Sequence, residues 1–183
     1  VRLVNANFGF NAPINPDNRI FNLELGGGAL LDLGVYNIAF ATFIYGEEMP
    51  IVINGTAVKC ETGADVITAV SLKYPTGLAT LNCGVTCNML NKAVVYGHTG
   101  RIEVERFWAT DKVKLIKYGD SDEIIYDCPY ECNGYEYEVR EVARCIGNGL
   151  IESEYMTHQD SINVMKIMDE VRKQIGLKFP NEN

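Results

Sequence analysis

Between residues 51 and 127 the chain alternates side-chain character in seven short stretches: IVINGTAVKC, ADVITAVSLKY, GLATLNCGVTC, NKAVVYG, RIEVERFW, KVKLIKYG and EIIYD. A period of two sends successive side chains to opposite faces, the pattern of strands that pack one face on a core. The connections are too short for the helical crossovers that parallel neighbours need. The block therefore predicts an antiparallel or mostly antiparallel sheet. Pro75–Thr76–Gly77 and Gly97–His98–Thr99–Gly100 supply tight turns. Along 79–87, Ala79, Leu81, Cys83, Val85 and Cys87 share one face, and Thr80, Asn82, Gly84 and Thr86 share the other. The first faces a core; the second is left to solvent or to a second subunit.

Outside this block the reading changes. Val1–Phe10 alternates weakly, as a strand does, and residues 11–22, with two prolines and four asparagines, read as a loop. Residues 29–45 (ALLDLGVYNIAFATFIY) form a run too long for an ordinary strand. It reads as a buried helix, opened by Gly26–Gly27–Gly28 and closed by Gly46 with Pro50 beyond. A second helix over 135–146 places Val139, Val142, Ala143 and Ile146 on one stripe, and Gly147–Asn148–Gly149 stops it. A third, over 159–175, lines up Ile162, Met165, Met168, Val171 and Ile175, with Gly176 as its cap. The predicted fold class is α+β: an open, mostly antiparallel β-sheet covered on one face by helices.

Composition removes several function classes. A net charge of −8 argues against nucleic acid or an anionic membrane as partner. Asp32 and Asn37 interrupt the longest apolar run, which makes it a poor membrane span. The six cysteines read as buried reduced thiols, which favours a cytoplasmic location. Their CxxxC spacings, with only His98 and His158 elsewhere, predict no metal site. No G-x-G-x-x-G, P-loop or H-E-x-x-H occurs, and two histidines support no Ser–His–Asp set. The start at Val1, in strand-like sequence without an initiator Met, reads as part of a longer protein.

That leaves Asp32, the one charge inside the apolar run, and Tyr36. Burying a lone carboxylate costs several kcal/mol unless something pairs with it. On a helix Tyr36 lies one turn beyond Asp32 on the same face. Two readings stay open. Asp32 is a helix N-terminal carboxylate and Tyr36 a core aromatic, or the two form a functional pair. In the second reading the phenol, with an ordinary pKa of ~10, exchanges protons once a cation lowers it. No Lys or Arg stands at helical spacing from either residue, so that cation comes from elsewhere. Small residues at Gly27 and Gly28 let another backbone or a flat ligand approach, which makes them this chain's candidate cofactor contacts.

The string GGGALLDLGVY resembles a signature of the glucose–fructose oxidoreductase / inositol dehydrogenase family (Gfo/Idh/MocA): GGG, apolar residues, then D-x-G-x-[HY]. GHTGRIE resembles the family's G-T-x-G-x-[IL] turn, with His98 as a departure. The ending GYEYEVREVARCIGNGLIESEYMTHQDSINVMKIMDEVRKQIGLKFP carries a family-like Y-x-x-E, I-x-x-G-x-x-E-S and closing G-x-x-[FY]-P. The tyrosine variant is most similar to the dihydrodiol dehydrogenase and sugar-oxidoreductase branch. The resemblance implies the C-terminal half of an NAD(P)-dependent oxidoreductase acting on a sugar, polyol or trans-dihydrodiol, inactive without its N-terminal dinucleotide-binding domain. It implies that Tyr36 is the general acid/base, that Asp32 orients substrate, and that an E-K-P lysine in the other domain is the missing cation. NAD or NADP would be held mainly by that domain. Arg19, Phe10 and Trp108 are the further substrate-binding candidates, while Glu138 and Glu152 match positions that look structural. The open sheet face would form a homodimer. The runner-up is a non-catalytic sugar-binding or oligomerisation module of the same architecture.

Overall fold

The computed structural model describes residues 1–183 apart from 47, 120, 121, 181 and 183. Its centre is an eight-stranded sheet of order β2-β3-β4-β1-β5-β6-β7-β8. β2 (Val52–Lys59), β3 (Asp65–Lys73), β4 (Leu78–Gly84), β5 (Lys92–Tyr96), β6 (Gly100–Glu105), β7 (Lys112–Lys117) and β8 (Glu123–Asp127) coincide with the seven alternating stretches, β6 starting one residue earlier. β1 (Leu3–Gly9) inserts between β4 and β5, parallel to β4 in the register Leu3↔Leu78 to Gly9↔Gly84 and antiparallel to β5. Every other pairing is antiparallel. Both expected turns close: Tyr74 N donates to Gly77 O and Gly97 N to Gly100 O, each at 2.8 Å.

One sheet face carries the core. Val4 and Ala6 of β1, Leu72 of β3, Ala79 and Leu81 of β4 and Ala93 of β5 pack under Leu30, Ile38 and Ala41. Val164, Ile167, Met168 and Val171 of α3 (His158–Ile175) complete the layer. The opposite face is polar at its middle: Asn5 donates to Thr80 Oγ1, and Asn82 Nδ2 to Asn7 Oδ1 at 3.0 Å.

Five expectations are corrected. The run 29–45 is not one regular α-helix. Leu30–Gly34 is a wide π-helical turn, followed by α1 (Val35–Tyr45). Gly34 lets that turn lie against β4, because a Cβ there would sit 2.9 Å from Leu30 Cδ1 and 3.1 Å from Cys83 Sγ. By length and mean hydropathy (1.4) the stretch Leu23–Tyr45 does qualify as a membrane span. Half of its most apolar window is buried inside the domain, where the sheet provides the apolar surroundings.

The buried stripe of α3 is Val164, Ile167, Met168 and Val171, whereas Ile162 and Met165 are exposed. Contact with β2 fixes the rotation. Gly55 leaves room for Val171, and Gln174 bonds both Gly55 N and Ile53 O at 2.8 Å. The predicted stripe of α2 (Tyr135–Gly147) does not pack at all: Val139, Val142 and Ile146 are 67%, 58% and 73% exposed. Only Cys145 of this helix is buried. Lastly, all six cysteines are free, but only Cys83 and Cys145 are buried, and Cys128 and Cys132 are exposed.

Candidate active site

The loop before the π turn is built by asparagines. Asn18 Oδ1 accepts Ile20 N at 3.0 Å and Asn22 Oδ1 accepts Glu24 N at 2.9 Å, so two short turns form back to back. The glycines then tie into them, Gly27 N donating to Asn22 O and Gly28 N to Ile20 O. A Cβ on Gly27 would lie 2.7 Å from Asn22 N, and one on Gly28 would overlap Asp65 Oδ1. Gly28 also has φ +132°, a region that L side chains rarely adopt. Both glycines are buried. The close approach that the sequence offered to a cofactor is therefore taken by the chain's own loop and by Asp65.

This loop carries Arg19 to Asp32. Arg19 Nη2 donates to Asp32 Oδ1 at 2.7 Å, with the arginine side chain 56% exposed and the aspartate 20%. Thirteen residues separate the two in sequence, which is why helical spacing did not reveal the pair. The carboxylate that caps the helix is not Asp32 but Asp65, whose Oδ2 accepts Leu30 N at 2.7 Å and Thr68 Oγ1 at 2.6 Å. Burial pushes the Asp65 carboxyl up, with these two hydrogen bonds opposing.

Tyr36 stands at the start of α1, half exposed, and its phenol makes no hydrogen bond among the described residues. Its ring meets Phe8 edge-on at 5.6 Å, and Phe8 stacks on Trp108 at 3.7 Å with 7° between planes. β6 ends at Glu105, and Arg106 (φ +45°) turns the chain so that Phe107 enters the core and Trp108, partly buried, packs against it. Tyr36, Trp108, Tyr130, Tyr137 and Glu138 line a cleft of about 360 Å³. The Tyr130 hydroxyl is buried there without a hydrogen-bond partner among the described residues.

The structure thus brings Tyr36 and Trp108 together and pairs Arg19 with Asp32, but neither Arg19 nor Asp32 lines that cleft. Phe10 packs against a second core cluster that contains Phe21, Leu33 and Val85, and the ring beside Tyr36 is Phe8. Glu152 accepts His158 N at 2.7 Å, a capping role at α3, whereas Glu138 joins the cleft wall. Sequence reading missed Phe8, Asp65, Tyr130 and Tyr137. Only the Phe8–Gly9–Phe10 pair of rings gave a local hint, through alternation along β1. No group of three His, Cys, Asp or Glu able to hold a metal occurs among the described residues.

Residues 1–103 match the family model described as GFO/IDH/MocA C-terminal domain. The chain is 35% identical over 191 residues to trans-1,2-dihydrobenzene-1,2-diol dehydrogenase of Danio rerio, covering 100% of this chain and 56% of that protein. The Homo sapiens protein of the same name is 31% identical over 190 residues, with the same coverage. The chain thus spans little more than half the length of these curated relatives. In fold it is similar to the aldose-aldose oxidoreductase of Caulobacter crescentus, solved with glycerol (TM-score 0.80, 20% identity, 94% of this chain and 52% of that one). It is also similar to the 3-ketoreductase KijD10 of Actinomadura kijaniata, solved with NADP and TDP-benzene (TM-score 0.79, 23% identity, 95% and 54%). This sequence belongs to the GFO/IDH/MocA family, as its C-terminal domain.

Proposed function

We propose that this chain is the substrate-binding half of an NAD(P)-dependent oxidoreductase acting on the CH–OH group of a sugar, polyol or trans-dihydrodiol. The observation that carries the reading is the Tyr36 phenol, free of hydrogen bonds at the mouth of an aromatic cleft. Trp108, on which Phe8 stacks, forms one wall and Tyr130 and Tyr137 further sides, surfaces suited to the apolar face of a ring. The dehydrogenase relatives, named for a ring diol, support that substrate class.

Tyr36 is the general acid/base: its phenolate oxygen takes the proton of the reacting hydroxyl, and the phenol returns it in the reverse direction. A phenol needs a neighbouring cation to do this near neutrality. Arg19 is engaged with Asp32, and no Lys or Arg contacts Tyr36 among the described residues, so the cation comes from the remaining part of the protein. Asp32, with one oxygen on Arg19 and the other without a partner among the described residues, orients a substrate hydroxyl. Gly27 and Gly28 are packed against Asn22 and Asp65 of this chain. NAD or NADP, bound by an N-terminal domain, supplies the hydride acceptor. The exposed Val139–Val142–Ile146 stripe gives that domain an apolar face, and this half alone is inactive. The polar outer sheet face forms a homodimer, and the protein is cytoplasmic.

The alternative, a non-catalytic sugar-binding or oligomerisation module, draws on one observation: Arg19 already occupies Asp32. A panel of trans-dihydrodiols, sugars and polyols, assayed on the full-length protein with NAD and NADP, separates the two. Turnover with one pairing is expected. A protein that binds dinucleotide yet reduces neither cofactor across the panel is the module. Sedimentation of the same sample reads the dimer.

A further inference from the structure

We propose that Asp65 is a positioning residue: together with Cys83 it clamps the two ends of the π turn Leu30–Gly34, and so fixes how Asp32 is presented relative to Tyr36. This rests on the reading of those two side chains given above.

The first turn of a helix leaves backbone N–H groups without partners, and an exposed Ser, Thr or Asn ordinarily caps them. Here the cap comes from another element, thirty-five residues away and wholly buried. Asp65 Oδ2 accepts the Leu30 amide at 2.7 Å, while the buried Thr68 hydroxyl, at 2.6 Å, fixes the same oxygen. Asp65 Oδ1 has no hydrogen-bond partner in another residue among the described ones and occupies the space that a side chain on Gly28 would fill. Leaving a carboxylate oxygen buried and unpaired is costly, so the arrangement does more than satisfy one amide. At the far end of the turn Cys83 Sγ lies against Gly34, 3.1 Å from where a Cβ would stand, and bonds Thr68 O at 3.7 Å. Asp65 on β3 and Cys83 on β4 thus grip the turn from the same side of the sheet, linked through Thr68.

A π turn holds one residue more than the α-helical path, and such turns concentrate at functional sites. If it relaxed to α geometry, residues before it would rotate by about 100° relative to those after it. Asp32 lies within the turn and Tyr36 beyond it. Weakening either grip therefore changes the relation between the two side chains without touching either.

The test uses the full-length protein. Asp65→Asn keeps one acceptor oxygen and the volume, and Cys83→Ala releases the other end. Leu72→Ala, in the core part of β3, is the control for lost stability alone. For Asp65→Asn a kcat lowered about ten- to a hundredfold with KM changed by less than about threefold is expected; for Cys83→Ala, about tenfold. Leu72→Ala, compared well below its melting temperature, stays within about twofold of wild type. Amide exchange across residues 30–36 rises about tenfold or more in both clamp variants and not in the control. Should Asp65→Asn not fold, Cys83→Ala decides. Wild-type-like kcat in a folded clamp variant, or unchanged exchange over 30–36, overturns the clamp. Raised exchange in an enzyme whose Tyr36→Phe variant is fully active keeps the clamp and removes the assigned role of Tyr36 instead.

Discussion

α1 and α2 are of similar length, eleven and thirteen residues, and are held in opposite ways. α1 is apolar around most of its circumference and is seated by packing: Ile38 and Ala41 are fully buried, and Asn37 Nδ2 reaches Asn82 O at 2.8 Å. α2 is amphipathic, yet its apolar stripe faces outward and polar bonds hold it. Glu136 accepts the amides of Cys132, Asn133 and Gly134, while Glu141 bonds Arg144 and Ser153. Both reach the same cleft, α1 through Tyr36 and α2 through Tyr137 and Glu138. The difference teaches that this cleft has a rigid wall, set by the core, and a wall that depends on electrostatics. The chemistry proposed for Tyr36 would sit on the first.

The largest expected effect tests that assignment. Tyr36→Phe in the full-length protein lowers kcat by about 10²–10⁴-fold, with the melting temperature nearly unchanged because the phenol has no partner to lose. Turnover equal to wild type would remove chemistry from the rigid wall. Next comes packing. Ile38→Ala, at a site with no exposure, destabilises by about 2–5 kcal/mol. Val142→Ala, 58% exposed, changes the stability of this domain by about 0.5 kcal/mol or less. Chemical denaturation measures both, and equal losses would mean that α2 is seated like α1.

Acid sharpens the contrast. Burial opposes ionisation of Glu136, but the backbone amides it accepts outweigh this and hold its carboxyl at about 2. Arg144, and then Ser153, hold the Glu141 carboxyl at about 2 as well. An ordinary glutamate titrates at ~4.3. Their support is therefore complete above that value and is lost as pH falls through about 2. Protection of the amides of residues 135–147 against exchange, relative to their intrinsic rates, should fall between pH 5 and 2 while that of α1 does not, and Glu136→Gln should flatten the response. Simultaneous loss of both helices would break the comparison. The smallest effect belongs to Arg19→Ala. Its pair with Asp32 is more than half exposed on the arginine side, so the change costs at most about 1 kcal/mol. A larger loss by calorimetry would make the pair part of the core.

The strands were legible because alternation is a local property: a strand with one face on the core must change character every second residue, whatever its neighbours. The turn at Pro75–Gly77 and the caps at Gly46 and Gly176 were legible for the same reason, since φ near +70° at both caps favours glycine. Tyr36 and Asp32 stood out because a carboxylate and a phenol are conspicuous within an apolar run. The rest was not written locally. Asp65 read only as one residue of the strand-like stretch ADVITAVSLKY, and its value lies in reaching an amide thirty-five positions away. Amphipathicity shows that a helix has an apolar face, but not which surface, if any, lies opposite.

The sequence by itself determined the strand set, the C-terminal ends of the helices, the family and the two residues on which chemistry was staked. Tertiary structure alone decided the parallel entry of β1 beside β4, the rotation of α3, the exposure of α2, the partnership of Arg19 with Asp32 and the stacking of Trp108 on Phe8. The reason is physical. Backbone geometry and side-chain period act over a few residues and leave their mark in the string. Pairing, burial and ion contacts act over a few ångströms between residues far apart in the chain, and exist only once it has folded.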